Sequence, residues 1–343
     1  MATFDLDRIL SEVKENIIEE PSVVENTENE DNTDTLMSES TPEIIDVEEE
    51  KVSTPGVTLK DGPDPDMFNN IKESFKAPKN FLFKEENTFF QMIRNIMRKE
   101  WILVTGPTGC GKTHLGKVLA KAMDMDFFSI NLGDTSNPAS KLLGHIAYNP
   151  EKGTHFVRSQ FVEAIQSEKP TLIMLDEITR DRSQELQNIL IPVLDEQRML
   201  ILDEERPPAT IKVSDNVFFF ATANVGRQYI GASNTIDRAW LDRFTGGFYQ
   251  MDYLSLENET DLLIRRTLIQ SDLAEKIALF AEKVRAMANA DELSTSVSTR
   301  MTLSAATAVG DGIDMLDALI NVAIPYFDDE SEKAKVLQII EAM

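Results

Sequence analysis

The segment Gly106-Pro107-Thr108-Gly109-Cys110-Gly111-Lys112-Thr113 constrains the fold of this chain more than any other part of its 343 residues. It follows the apolar run Trp101–Thr105, and Leu115 to Met123 continue with helical spacing of apolar residues. A short run that is almost wholly apolar is typical of a strand buried on both faces of a parallel sheet. The order of strand, glycine-rich loop and helix therefore predicts an α/β domain with a parallel sheet flanked by helices.

The residue types of this loop predict that it binds phosphate. Glycines allow successive backbone N–H groups to turn towards phosphate oxygens, and the N-terminus of the following helix favours negative charge. Lys112 can reach the β- and γ-phosphates of a nucleotide, and the Thr113 hydroxyl can bind Mg²⁺. We call Gly106–Thr113 the phosphate loop. The residues expected to contact the nucleotide are Gly106, Pro107, Thr108, Gly109, Cys110, Gly111, Lys112, Thr113 and His114.

Polar side chains follow two further apolar runs. Asp176 and Glu177 come directly after Thr171–Leu175, and Asn224 follows Val217–Ala223. The carboxyl ends of parallel strands meet at the edge of the sheet where ligands bind. We therefore expect Asp176 to hold Mg²⁺, directly or through water, and Glu177 to orient and deprotonate an attacking water. Asn224 is expected to position the water or the γ-phosphate, although an asparagine in this place is also compatible with an ordinary strand end.

Charge is distributed unevenly along the chain. Residues 1–66 contain 20 acidic and 4 basic side chains, so they carry a net charge of −16 out of −25 for the whole chain. This acidic leader has few aromatic residues and is predicted to be mostly disordered. Its apolar residues Leu6, Ile9, Leu10, Val13 and Ile17 fit an amphipathic helix, which is either a docking helix for a partner or a transient helix in a solubilising tail. Residues 67–255 are the predicted α/β domain, and residues 256–343 are predicted to be a helical lid.

Composition disfavours several classes of protein. No apolar run approaches the roughly 20 residues that cross a bilayer, and no secretory signal is visible at the start. The single cysteine, Cys110, cannot form an internal disulfide, which favours a cytoplasmic protein. The acidic net charge disfavours contact with nucleic acid unless the charge is strongly segregated. No contact with a membrane is expected.

The order of these motifs resembles that of the AAA+ ATPases, and in particular their MoxR branch and the ATPase subunit of cobaltochelatase (CobS-like). The resemblance extends over about residues 77–327 and includes Asp242-Arg243-Phe244 and Ser298-Thr299-Arg300. Two expected hairpins support that branch. One comprises residues 142–157, and the other pairs Met199–Leu202 with Thr210–Val213.

The resemblance implies roles for several arginines and the kind of assembly that the chain forms. Arg243 matches the arginine finger that reaches the nucleotide of a neighbouring subunit, and Arg300 matches the second sensor in the lid. Arg238 and Arg180 are weaker candidates, and a surface role is the alternative for each of these four arginines. The implied assembly is a homo-oligomeric ring, expected to be a hexamer, that hydrolyses ATP with Mg²⁺. At the tip of the first hairpin, Tyr148, Lys152, His155 and Phe156 are expected to face the pore or a partner. The alternative is that Tyr148 and Phe156 simply pack the hairpin.

Three functions remain open at this level. The first is a CobS-like or MoxR-like motor that remodels a protein partner, of von Willebrand factor A type, in metal insertion or protein maturation. The second is a motor dependent on nucleic acid or a helicase loader. The third is a nucleotide-gated scaffold without catalysis, which the presence of Lys112, Glu177, Asn224 and Arg243 disfavours.

Overall fold

A computed structural model of the chain describes residues 62–76, 87–133, 137–151, 153–178, 184–224 and 238–343. The acidic leader up to residue 61, with the helix expected around Leu6–Ile17, lies outside the described residues. The described part begins with two helices, α1 (Met67–Ser74) and α2 (Thr88–Met97). An α/β unit with a parallel sheet follows, and then a group of helices, as the sequence predicts. The exact boundaries of the three predicted parts remain predictions.

The central sheet has five strands, all parallel. In chain order they are β1 (Ile102–Gly106), β2 (Asp126–Asn131), β5 (Thr171–Asp176), β8 (Val217–Asn224) and β9 (Phe248–Gln250). Their spatial order is β2-β5-β8-β1-β9. The three central strands β5, β8 and β1 are almost wholly buried, in agreement with their apolar sequences.

Helices cover both faces of this sheet. One face packs against α1, α2 and α3 (Lys112–Ala122) through residues such as Ile93, Leu115 and Phe220. The other face packs against α5 (Gln160–Ala164) and α6 (Gln184–Leu194), with Phe161 and Trp240 fully buried there. The short helices α4 (Pro138–Leu142) and α7 (Arg238–Leu241) complete this unit.

Both expected hairpins are present. The first joins β3 (Gly144–Asn149) to β4 (Gly153–Arg158), and the second joins β6 (Met199–Leu202) to β7 (Ala209–Lys212). An ion pair connects them, because Arg158 contacts Glu205 with its Nη2 2.9 Å from a carboxylate oxygen.

The C-terminal part is helical, with a core of its own. Its helices are α8 (Leu256–Thr267), α9 (Ser271–Asn289), α10 (Thr299–Gly310), α11 (Met315–Ala323), a 3-10 turn (Ile324–Tyr326) and α12 (Glu330–Glu341). Among the described helices none combines the length and the apolar character needed to cross a membrane.

Two helices of this part begin directly after a serine: α8 begins at Leu256 and α10 at Thr299. In each case the preceding serine, Ser255 or Ser298, accepts a hydrogen bond from a backbone N–H of the first turn. These N-caps satisfy backbone donors of the first turn, which fixes where each helix begins.

Candidate functional site

The phosphate loop connects β1 directly to α3. Gly109 has a φ of 76° and Gly111 a φ of 99°, both in the left-handed region that favours glycine. Gly111 is the N-cap of α3, so Lys112 and Thr113 are the first residues of the helix. The loop therefore leads into a helix N-terminus, which is the arrangement that binds phosphate groups.

Lys112 is buried, with 7% of its surface exposed. Its Nζ donates hydrogen bonds to the backbone oxygens of Gly106, at 3.0 Å, and Pro107, at 2.8 Å. A buried ammonium group needs such partners to offset the loss of hydration. The charge is thereby held against the loop, where phosphate oxygens are suitable alternative acceptors.

The register of the sheet brings the predicted acidic residues to this loop. Gly106 is paired with Asn224 between β1 and β8, and Leu175, just before Asp176, is paired with Ala221 between β5 and β8. The Thr113 hydroxyl lies 3.4 Å from Oδ2 of Asp176. The three ends of β1, β5 and β8 thus place hydroxyl and carboxylate oxygens together at one edge of the sheet.

Thr222 joins the two carboxylate residues, and the sequence analysis did not identify it. Its hydroxyl donates to Oδ1 of Asp176 and accepts a hydrogen bond from the backbone N–H of Glu177, at 3.2 Å. Thr222 is fully buried in β8. One side chain therefore fixes Asp176 and the backbone of Glu177 at the same time.

Asn224 contacts Glu177, the residue predicted to deprotonate the attacking water. Its Nδ2 donates a hydrogen bond of 3.0 Å to Oε1 of Glu177. Glu177 itself has a φ of 58°, a conformation that is uncommon for residues other than glycine. Such conformations cost free energy and persist where the surroundings hold them, often at functional sites.

The residues present fit a nucleotide with Mg²⁺. Mg²⁺ prefers oxygen ligands and is commonly bound through one or two protein oxygens together with phosphate groups. The Thr113 hydroxyl and the Asp176 carboxylate supply such oxygens, and Lys112 supplies a cation for the phosphates. These residues would hold the metal and the triphosphate.

The helical part reaches the phosphate loop near Arg300. A Cβ placed on Gly109 would lie 2.8 Å from Cβ of Ser298 and 3.9 Å from Cβ of Arg300. Arg300 is exposed in the first turn of α10. It also lines a cavity of about 840 Å³ that lies between the loop residues Pro107 and Thr108 and the helical part. The structure therefore brings Arg300 next to the phosphate loop.

Arg243 lies in the segment between α7 and β9. Its Nη2 is 3.1 Å from Oδ2 of Asp195, just after α6, while its Nε has no hydrogen-bond partner among the described residues. The neighbouring Trp240 and Phe244 are buried and pack edge to face, with their ring centroids 5.5 Å apart. The segment is thus anchored in the core, and Arg243 is partly exposed.

Two residues of the loop region have shifted pKa values. Burial raises the pKa of the Cys110 thiol, and the nearby Lys112 only partly opposes this effect. Burial, together with the positive charges of Arg266 and Lys117, lowers the pKa of His114 to about 4. His114 is therefore neutral near pH 7, and its Nε2 has no hydrogen-bond partner within the described part of the chain. Its contact with nucleotide remains a prediction.

The weaker candidates divide into three groups. Arg180, Lys152 and the side chain of Arg238 lie outside what the structure describes. Tyr148 is highly exposed on the first hairpin, with 74% of its surface accessible. By contrast, Phe156 is half-buried and packs against the core, and His155 contacts the backbone oxygen of Gly153 through Nδ1.

Taken together, the sheet order, the phosphate loop and the adjoining helices define a P-loop nucleotide-binding protein with a helical lid. Comparison with known families gives a narrower class. Residues 101–244 match the AAA domain of the dynein-related subfamily, and residues 259–343 match the C-terminal domain of CbbQ, NirQ and NorQ.

Individual relatives agree with these matches. The chain is 30% identical over 256 residues to BssE from Thauera aromatica, covering 74% of this chain and 85% of BssE. It is 25% identical to the denitrification regulatory protein NirQ from Pseudomonas aeruginosa, covering 70% of this chain and 88% of NirQ. The chain therefore belongs to the MoxR-type AAA+ ATPases, in the group of NirQ and NorQ.

Solved structures show a more distant likeness. A crystal structure of NtrX from Brucella abortus in complex with ADP is 17% identical, with a TM-score of 0.43. The alignment covers 69% of this chain and 53% of NtrX, so the chain spans about half the length of that protein. A likeness of this size carries no argument about function.

Proposed function

We propose that this protein hydrolyses ATP with Mg²⁺ and uses the energy to remodel a protein partner. The observation that carries the proposal is the group of contacts at the edge of the sheet. Lys112 and Thr113 of the phosphate loop lie beside Asp176, and Glu177 is held by Asn224. A protein that only binds nucleotide does not need a carboxylate so placed.

Each residue has a distinct part in this reaction. Lys112 binds the β- and γ-phosphates, while Thr113 and Asp176 hold Mg²⁺, which when bound neutralises phosphate charge. Glu177 orients the attacking water and accepts its proton. Asn224 keeps the Glu177 carboxylate in place and presents its amide to the water or the γ-phosphate. Arg300, adjacent to the loop, adds positive charge from the lid.

The assembly proposed is a homo-oligomeric ring, expected to be a hexamer. Arg243 is partly exposed and anchored by buried aromatic neighbours, which suits a rigid cation that reaches the nucleotide of the next subunit. A planar, permanently charged guanidinium group fits the charge that develops on the transferred phosphoryl group. In the isolated subunit this group is neutralised by Asp195.

The hairpins are the proposed contact with the partner. Ile146 and Tyr148 on the first hairpin and Ile201 on the second are exposed apolar residues. Such side chains suit a protein surface better than a phosphate backbone, and the acidic net charge also disfavours nucleic acid. A partner of von Willebrand factor A type, a CobS-like role in metal insertion and a cytoplasmic location are finer parts of this proposal.

The test is steady-state ATP hydrolysis by wild type and Glu177→Gln, with and without DNA or RNA at two salt concentrations. We expect a rate that depends on Glu177, falls roughly 10²- to 10⁴-fold in the variant, and ignores nucleic acid. Stimulation by DNA or RNA that fades with salt would make the protein a nucleic-acid motor instead. If wild type hydrolyses ATP only at the background rate, the protein would instead be a nucleotide-gated scaffold without catalysis.

A further inference from the structure

Tyr253 connects the phosphate loop to the helical lid. It lies in the short linker between β9 and α8, where the chain leaves the sheet and enters the helices. Its hydroxyl donates a hydrogen bond of 3.1 Å to the backbone oxygen of Thr108, a residue of the phosphate loop. The linker is thus attached to the loop that is expected to hold the nucleotide phosphates.

The ring of Tyr253 lies against a buried ion pair of the lid. The guanidinium carbon of Arg285, on α9, is 4.1 Å from the centroid of the ring, within the range of a cation–π contact. Arg285 is bound through both Nη atoms by Glu259, on α8, which is 1% exposed. The ion pair therefore joins two lid helices directly behind the tyrosine.

Within the described part of the chain, the other hydrogen-bond partners of this ion pair lie at the start of α10 or just before it. Arg285 donates through Nε to the backbone oxygen of Val297, at 2.9 Å, and through Nη2 to the Thr299 hydroxyl, at 3.4 Å. The Thr302 hydroxyl donates to Glu259 at 2.6 Å. These contacts lie on either side of Arg300 in the sequence, so they fix the helix turn that carries it.

We propose that Tyr253 and Arg285 are positioning residues that hold the Arg300 turn of α10 in register with the phosphate loop. This inference rests on the proposed function, because it takes the loop and Arg300 to bind the same nucleotide. A buried ion pair is often no more stabilising than apolar residues of similar volume, so stability alone is a weak reason for its presence.

The experiment measures binding of a fluorescent ATP analogue with Mg²⁺. Tyr253→Phe keeps the ring over Arg285 and removes only the hydroxyl, and we expect Kd to rise roughly two- to tenfold. Tyr249→Phe is the matched control, because Tyr249 lies on β9 and its hydroxyl accepts a hydrogen bond from Asn95. We expect this control to bind like wild type.

A double-mutant cycle with Arg300→Ala tests the route of the effect. If Tyr253 acts by placing the Arg300 turn, its loss costs less binding in the Arg300→Ala background than in wild type. Additive effects would overturn the inference. An unchanged Kd in Tyr253→Phe would also overturn the inference, even if this variant melted at a lower temperature than Tyr249→Phe does. Because the readout is binding, absence of hydrolysis by wild type would contradict the proposed function alone.

Discussion

The Nδ2 atom of Asn224 lies 3.0 Å from Oε1 of Glu177 and donates a hydrogen bond to it. Asn224 is buried at the end of β8, whereas Glu177 has a left-handed backbone conformation just after β5. The amide therefore fixes a carboxylate whose backbone is already unusual. This relationship supports the proposed role of Asn224 beside Glu177, in addition to its place at the end of a strand.

Asn224→Ala tests that relationship. We expect kcat for ATP hydrolysis to fall roughly ten- to a hundredfold with little change in nucleotide Kd, because a hydrogen bond to a charged group is lost where the water is oriented. Asn216→Ala is the control, since Asn216 lies just before the opposite end of the same strand and donates to the backbone oxygen of Glu168. Equal losses in both variants would point to a general effect on β8.

Thr222→Val is expected to lower kcat by roughly ten- to a hundredfold and to raise the Mg²⁺ concentration needed for half-maximal rate. Valine keeps the shape of threonine but leaves Oδ1 of Asp176 and the N–H of Glu177 without this hydroxyl. The measurement is a Mg²⁺ titration of ATP hydrolysis.

Thr171→Val is a matched control for this prediction. Thr171 is a buried threonine at the opposite end of the sheet, where its hydroxyl contacts Ser167 and the backbone oxygen of Lys169. We expect its titration curve to follow that of wild type. A Thr222→Val curve that coincided with wild type would remove Thr222 from the site.

The sequence predicts the central part of the fold and most of this site. Apolar runs that end in Gly106, Asp176 and Asn224 identify strands and their functional ends, because both the burial pattern and the polar residue are local in sequence. The sheet confirms that these ends meet at one edge. The roles assigned to the residues there remain predictions.

Other features depend on contacts that the sequence does not reveal. Thr222 looks like an ordinary β-branched strand residue, and its role arises only from the register between β8 and β5. Likewise, Arg285 and Glu259 are 26 positions apart on separate helices. The starts of α8 and α10 likewise depend on the hydrogen bonds of their serine N-caps.

Arg243→Ala is expected to abolish most turnover while leaving nucleotide binding intact. If the guanidinium acts on the nucleotide of the next subunit, mixtures with Glu177→Gln subunits should regain part of the rate. Such mixtures contain interfaces that combine an intact Glu177 with an intact Arg243. The measurement is the ATPase rate against the mixing ratio at constant total protein.

Arg265→Ala serves as the matched control in these mixtures. Arg265 is an exposed arginine on α8, with its Nη2 3.6 Å from a carboxylate oxygen of Asp261. Its removal should leave turnover near that of wild type, because exposed ion pairs contribute little. A rate for Arg243→Ala that stays flat at every mixing ratio would contradict action across the interface.

Cys110 is expected to react slowly with thiol reagents, although it lies in the phosphate loop. Burial leaves 3% of the residue exposed and raises the pKa of the thiol, so the reactive thiolate is scarce at pH 8. Because Cys110 is the one cysteine in the chain, the absorbance change with a disulfide reagent such as Ellman's reports this single position. We expect the native protein to react at least about tenfold more slowly than the same protein in urea. The native rate should continue to rise with pH beyond the ordinary thiol range, because the raised pKa shifts ionisation of the thiol to higher pH. Equal native and unfolded rates at pH 8 would mean that the loop leaves the thiol accessible.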